Sequence, residues 1–205
     1  MKRQVTCAIV LLACLLGAFA ADARVRTVTD PKAPRELPAD GPVSVRWTDP
    51  AQFSEVRFSG NRFESQRGDW VQALAEHFRE STARQLPPGD RLDITITDIK
   101  RAGQFEPWHG PRSQDIRIVK DIYPPRISFR YVWTGANGQV IDQGERRLVD
   151  AGFLTSTLPF NDTDQLRYEK QMIDSWSRRQ FRDAPRSAAA GAVPEGAVAE
   201  AGRGD

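Results

Sequence analysis

Between residues 91 and 97 apolar and polar side chains alternate within a strand that reads from 91 to 100, with Leu92, Ile94 and Ile96 on one side and Asp93, Thr95 and Thr97 on the other. A period of two marks a strand that is covered on one face. Residues 43–47 alternate in the same way. After the turn at Asp49-Pro50, residues 55–58 read as a second short strand. Ile127, Phe129, Tyr131 and Trp133 share a face in 126–133, which pairs with 139–149 as a hairpin around Gly135-Ala136-Asn137-Gly138. The Asn-Gly pair suits the positive φ that such turns require. Residues 116–119 are a further candidate strand.

The period changes to that of a helix after Asp69, where Val71, Leu74, Ala75, Phe78 and Thr82 form one stripe. Asp69 stands at the N-cap position with Gln72 three residues on, and Pro87-Pro88-Gly89-Asp90 ends the segment. A last helix is predicted from about Asp162, with Gln165 at the capping-box position and Leu166, Ile173 and Trp176 turned inward. Arg178, Arg179 and Arg182 fall in its last turns, where cations oppose the helix dipole. These elements predict an α+β fold, an antiparallel sheet with two helices packed on one face. Trp47, Trp133 and Trp176 each follow the apolar period of their element and are expected in the core. His77, beside the first stripe, is expected on the helix surface.

Outside these periodic segments the pattern breaks down in three places. At the start, Lys2 and Arg3 precede an apolar run of about 17 residues, closed by small residues at Ala18, Ala20, Ala21 and Ala23. This is the order of a secretory signal peptide, 1–23, cleaved after Ala20 or Ala23, and the run is short of the roughly 20 residues that span a bilayer. Residues 24–42 hold Pro31, Pro34, Pro38 and Pro42 and read as a mobile leader. Residues 184–205, poor in large side chains and broken by Gly191, Pro194 and Gly196, read as a disordered tail, dispensable for folding. One domain, 43–183, remains.

Export changes the reading of charge and cysteine. The chain has 29 basic residues, two of them in the signal head, against 27 acidic ones, so cleavage after Ala20 leaves a neutral balance. Signs are interspersed, which gives no long-range reason to expect nucleic acid or an anionic membrane as partner. Cys7 and Cys14 both lie in the apolar run, leaving no disulfide or thiol chemistry in the mature chain, and no transmembrane span survives cleavage. His77 and His109 are too few for a metal site. No nucleophile elbow, phosphate-binding glycine loop or dinucleotide fingerprint is present, and no cofactor is expected.

One segment does carry candidate chemistry. Residues 98–126 form a long connection rich in aromatics, prolines and charges, and long irregular loops in compact domains tend to be functional. Read as a binding rim, it offers Trp108 and Tyr123 as stacking surfaces and Glu106, His109, Asp121 and Arg126 as polar groups. Read as structure, Phe105 and Trp108 plug one end of the fold while the prolines stiffen the crossing.

Val45-Arg46-Trp47-Thr48-Asp49-Pro50, Phe105-Glu106-Pro107-Trp108 and Val119-Lys120-Asp121-Ile122-Tyr123-Pro124-Pro125-Arg126-Ile127 together resemble a set of exported proteobacterial proteins, the family called domain of unknown function 3016. The resemblance spans roughly 43–183. It implies a Gram-negative envelope setting, with the mature chain in the periplasm, and assigns no activity or catalytic residue. The expectation is a non-enzymatic binding or accessory protein whose partner is an unidentified envelope protein or small ligand. The alternative is a hydrolase or lyase working through carboxylates, with Glu106, His109 and Asp121 as participants.

Overall fold

The computed structural model describes residues 26–155 and 163–182; the expected signal segment, tail and helix start at Asp162 lie outside the described residues. Among the described residues six strands are formed: β1 (Val43–Trp47), β2 (Arg91–Lys100), β3 (Gln104–Phe105), β4 (Arg117–Ile118), β5 (Arg126–Thr134) and β6 (Val140–Val149). Four helices accompany them: α1 (Ser54–Arg57), α2 (Arg62–Gln66), α3 (Trp70–Ala83) and α4 (Arg167–Arg182). The long strands make one sheet in the order β1-β2-β5-β6, and β3 pairs with β4 as a separate two-residue ribbon.

The fold is α+β, but the sheet is mixed rather than antiparallel throughout. β1 runs parallel to β2, from Val43 beside Leu92 to Trp47 beside Ile96. A parallel pair needs a long crossover, and residues 48–90 supply it with three helices. The β2–β5 and β5–β6 pairs are antiparallel, and Gly138 takes the positive φ of 82° at the hairpin turn. Buried Asp90 ties that hairpin back, accepting from Trp133 Nε1 at 2.9 Å and the Ala136 N–H at 3.0 Å.

Residues 55–58 are not a strand. Residues 55–57 belong to α1 and Phe58 is its C-cap, because the Asp98 carboxylate accepts both the Ser54 N–H at 2.6 Å and its hydroxyl at 2.7 Å, satisfying the open end of a helical turn. Four alternating residues are too few to separate the two periods. The stripe of α3 is buried as its spacing predicts, although Asp69 makes no side-chain cap and Gln72 bonds Glu76 instead at 2.9 Å. At the other end of the chain, the Asp164 carboxylate accepts the Leu166 N–H at 2.8 Å before α4 begins.

α3 and α4 cover the same face of the sheet. Phe78 and Trp176 both meet Phe129 edge-on, with ring centroids 4.9 and 4.8 Å away. Edge-to-face contacts of this kind add roughly 0.5–1.5 kcal/mol each to the burial itself. Trp47, Trp133 and Trp176 are buried as expected. His77, expected on the surface of the first long helix, instead ties the two helices together, with Nε2 2.9 Å from the Asp174 carboxylate. The proline-rich segment expected to be mobile lies along the outer edge of β1: the Leu37 N–H donates to Val45 O and the Trp47 N–H to Arg35 O, both at 2.9 Å. Leu37 joins the core, and the sheet edge is covered there.

Candidate functional site

The connection from β2 to β5 folds back on itself through β3 and β4, with a 3₁₀ turn at Pro107–His109 between them. Gly103 makes the fold-back possible. It has φ 78°, and a Cβ there would lie 2.7 Å from Ile118 O. Its N–H also donates to Tyr123 O at 3.0 Å.

Glu106 is the node of this loop. It is buried, and its carboxylate accepts from Lys120 Nζ at 2.9 and 2.8 Å and from the Tyr123 hydroxyl at 2.8 Å, with His109 Nε2 2.9 Å away. The Lys120 hydrogen bond, reinforced by Tyr123, holds the Glu106 carboxyl below its ordinary range, and the same bonds hold Lys120 and Tyr123 above theirs. The structure therefore brings together Glu106, His109 and Tyr123, and adds Lys120, which nothing in the sequence singles out. With its acceptor sites occupied, Glu106 acts as a tie across the loop.

The other three residues stand apart from that node. Asp121 is exposed, and its carboxylate accepts the neighbouring Ile122 N–H at 2.9 Å. Arg126 heads β5 opposite Lys100 in the ladder. Trp108 is 66 % exposed, so the plug reading holds for buried Phe105 but not for Trp108. Its short 3₁₀ turn carries it to the surface, and none of the described elements covers it.

Beside the loop lies a cleft of about 790 Å³, whose lining the sequence does not foretell. Arg26, Arg67, Arg101, Arg117 and Arg167 line it, against two carboxylates, Glu64 and Asp115. Phe105, Ile116, Val119 and Tyr168 give it apolar walls. The arginines come from five places in the chain: the N-terminal segment, the end of α2, the end of β2, β4 and the start of α4.

Two buried carboxylates organise the cleft floor. Glu55, on α1, accepts from Lys100 Nζ at 3.1 Å, from the Arg101 N–H at 3.0 Å and from the Arg117 guanidinium. Lys100 is further held by Gly103 O at 3.2 Å and Gln104 Oε1 at 3.0 Å, and burial lowers its pKa from the usual 10.5. Glu169, on α4, accepts the Ala102 N–H at 2.6 Å, and burial holds its carboxyl above the usual 4.5. Its second oxygen has no hydrogen-bond partner among the described residues.

Arg101 is the anomaly. It is only 8 % exposed, its Nε has no hydrogen-bond partner among the described residues, and its guanidinium lies 5.6 Å over the Trp70 ring. Arg117 bonds Glu55, Arg67 bonds Glu64 and Arg167 bonds the Asp164 carbonyl and Tyr168; Arg26 and Arg101 have no side-chain hydrogen bond among the described residues, and of these two Arg26 is exposed and Arg101 is buried on the floor of the cleft. A buried unpaired cation is expensive unless something supplies the opposite charge. An oxyanion reaching Arg101 would do so, since the planar guanidinium presents paired donors that match two oxygens of a carboxylate or phosphate. One sequence signal could have drawn attention here: Lys100-Arg101 continues a buried strand with two cations where apolar residues belong. Arg26, Arg67 and Arg167 carry no such signal.

Among the described residues, no group of three His, Cys, Asp or Glu side chains could hold a metal ion, and no helix is long and apolar enough to cross a membrane. The profile of a family described as "Protein of unknown function (DUF3016)" matches residues 41–179, which takes in the sheet, the cleft arginines other than Arg26, and all but the end of α4. No curated protein and no solved structure matches the chain.

Proposed function

The chain belongs to this family of unknown function, and from that premise we propose that it is a periplasmic, non-enzymatic binding or accessory protein of the Gram-negative envelope that captures an anionic group in its arginine-lined cleft. The observation that carries the reading is Arg101, buried on the cleft floor with its Nε unpartnered among the described residues and other arginines around it. The periplasmic setting rests on the charged head, apolar run and small-residue sites of the first 23 residues. The group bound is a carboxylate or phosphate, on a small ligand or on an envelope component. The hydrolase alternative needs Asp121 beside Glu106 and His109, whereas Asp121 is bonded to the Ile122 N–H and Glu106 is fully engaged.

The test pairs stability with binding. Removing a desolvated, unpaired charge while keeping side-chain volume is neutral or stabilising. Arg101→Met in the chain beginning at Ala21 should therefore melt at or above the wild-type temperature. Wild type should gain thermal stability with millimolar phosphate or citrate, as any ligand of the native state produces, and the variant should gain none. No anion-dependent shift in wild type, or an equal shift in Arg101→Met, overturns the reading. Mass spectrometry of the native protein checks export, with the N-terminus expected at Ala21 or Arg24 and not at Met1.

A further inference from the structure

Ten large apolar side chains are exposed among the described residues, and six of them fall on two segments. Phe58 and Phe63 flank the turn between α1 and α2; Trp108, Ile116, Val119 and Ile122 stand on the long loop. The segments are joined. Asn61 Nδ2 donates to Gln114 O at 3.1 Å and to the Asp115 carboxylate at 2.8 Å, and Gln104 Nε2 donates to Phe58 O at 2.9 Å. A Cβ on Gly60 would fall 2.8 Å from the Pro107 ring, so the turn and the loop lie in close contact.

Charge is distributed unevenly over this end. Arg57, Arg62 and Arg112 are exposed, and none makes an ion pair with a described residue. The carboxylates nearby are occupied: Glu64 with Arg67, Asp115 with Asn61, Asp121 with the Ile122 N–H. Of these only Glu64 is paired with a cation, while Asp115 and Asp121 bond neutral donors and keep their charge, so the three arginines without an ion pair outnumber the two such carboxylates and leave this surface with a positive excess. Ile116 and Val119 also line the arginine cleft, so the cleft borders the apolar patch.

We propose that this end of the domain docks on the surface of an anionic phospholipid bilayer, with Trp108, Phe63 and Ile122 entering the interface and a headgroup phosphate seated in the arginine cleft. Tryptophan favours the membrane–water boundary, where its ring is buried and its N–H stays wet. Guanidinium groups around such an apolar patch add attraction to acidic headgroups, which fades within a Debye length and weakens with salt. The seating of the phosphate rests on the anion-binding reading of the cleft, while the docking stands on the exposed apolar side chains and their unpaired arginines.

Flotation of the chain beginning at Ala21 with vesicles of phosphatidylcholine, alone or mixed with phosphatidylglycerol, tests the proposal. Trp108 is the exposed member of the five tryptophans, so its entry into the interface should also shift emission to shorter wavelength. Binding is expected only with phosphatidylglycerol, reduced by salt. The double variant Trp108→Ser/Ile122→Ser should bind at least about tenfold more weakly, as losing two buried apolar groups implies, with an unchanged melting temperature. Failure to float with phosphatidylglycerol vesicles, equal flotation with phosphatidylcholine, or undiminished binding by the double variant overturns it. If free phosphate still stabilises the chain in any of those cases, the cleft reading stands and only the docking falls. Trp108-dependent crosslinking to a protein without vesicle binding also overturns it, in favour of a protein partner.

Discussion

Glu55→Ala is the substitution that most directly tests how the cleft is held. Glu55 is 1 % exposed and is the carboxylate shared by Lys100 and Arg117, whose side chains are 9 % and 16 % exposed. Taking away one partner of a buried ion pair leaves the other uncompensated and costs about 3–5 kcal/mol. The Arg101 N–H also loses its acceptor, and an unsatisfied buried donor costs roughly 1–3 kcal/mol on its own, though the two losses overlap. About 3–5 kcal/mol is a large part of the 5–15 kcal/mol that holds a domain together. At about 4 °C per kcal/mol for a domain of this size, the melting temperature should fall by about 12–20 °C. Thermal melts followed by circular dichroism on the chain beginning at Ala21 measure it. Lys100→Met should cost less, because Arg117 remains to pair Glu55. The double variant Glu55→Ala/Lys100→Met should cost less than the sum of the singles. A Glu55→Ala melt within about 3 °C of wild type, or strict additivity in the double variant, would refute the reasoning that one buried carboxylate neutralises both cations.

Other expectations concern the loop and the helix behind it. Phe105→Ala, which empties a buried aromatic site, should lose about 3–5 kcal/mol, whereas Trp108→Ala, on an exposed side chain, should stay within about 0.5 kcal/mol of wild type; urea denaturation of the two variants side by side decides it, and equal losses would contradict their placement. Glu169 should show itself through pH. Its folded pKa is raised by burial, so its contribution is favourable below the usual 4.5, where the carboxyl is protonated in both states, and is lost as pH rises through the folded value. Glu169→Gln should therefore melt higher than wild type at neutral pH, with the advantage vanishing near pH 4, and an offset that does not change with pH would count against a buried, reluctantly ionised carboxyl.

Periodicity alone makes most of the framework legible. The alternation in β2, the stripe of α3 and the shared face of Ile127, Phe129, Tyr131 and Trp133 come through unchanged, because each element must bury one continuous face wherever its partners lie. The same local logic fails at 55–58. There the helix exists because Asp98, more than forty residues later in the chain, caps Ser54. It fails again at 31–38, where prolines suggest mobility and backbone bonds to β1 supply order. The parallel pairing of β1 with β2 follows from a crossover whose path local pattern does not encode.

The loop at 98–126 is recognisable as unusual by its length and aromatics, and Glu106, His109 and Tyr123 do converge there. Lys120 gives no such sign, since a lysine in a polar stretch looks like ordinary surface. The cleft depends on tertiary structure altogether. Composition shows many arginines balanced by acids, which is all that a linear chain reveals about charge. Whether a given arginine is paired depends on which carboxylates folding brings within reach. Glu55 neutralises Lys100 and Arg117 from a different element, while Arg101, with Glu55 and Glu169 nearby, is left without a hydrogen-bonded carboxylate among the described residues. Which faces are buried can be read from the chain, because burial follows a local period. Where charge is left without a bonded partner emerges on folding, because pairing is set by distances of a few ångströms between residues far apart in the chain.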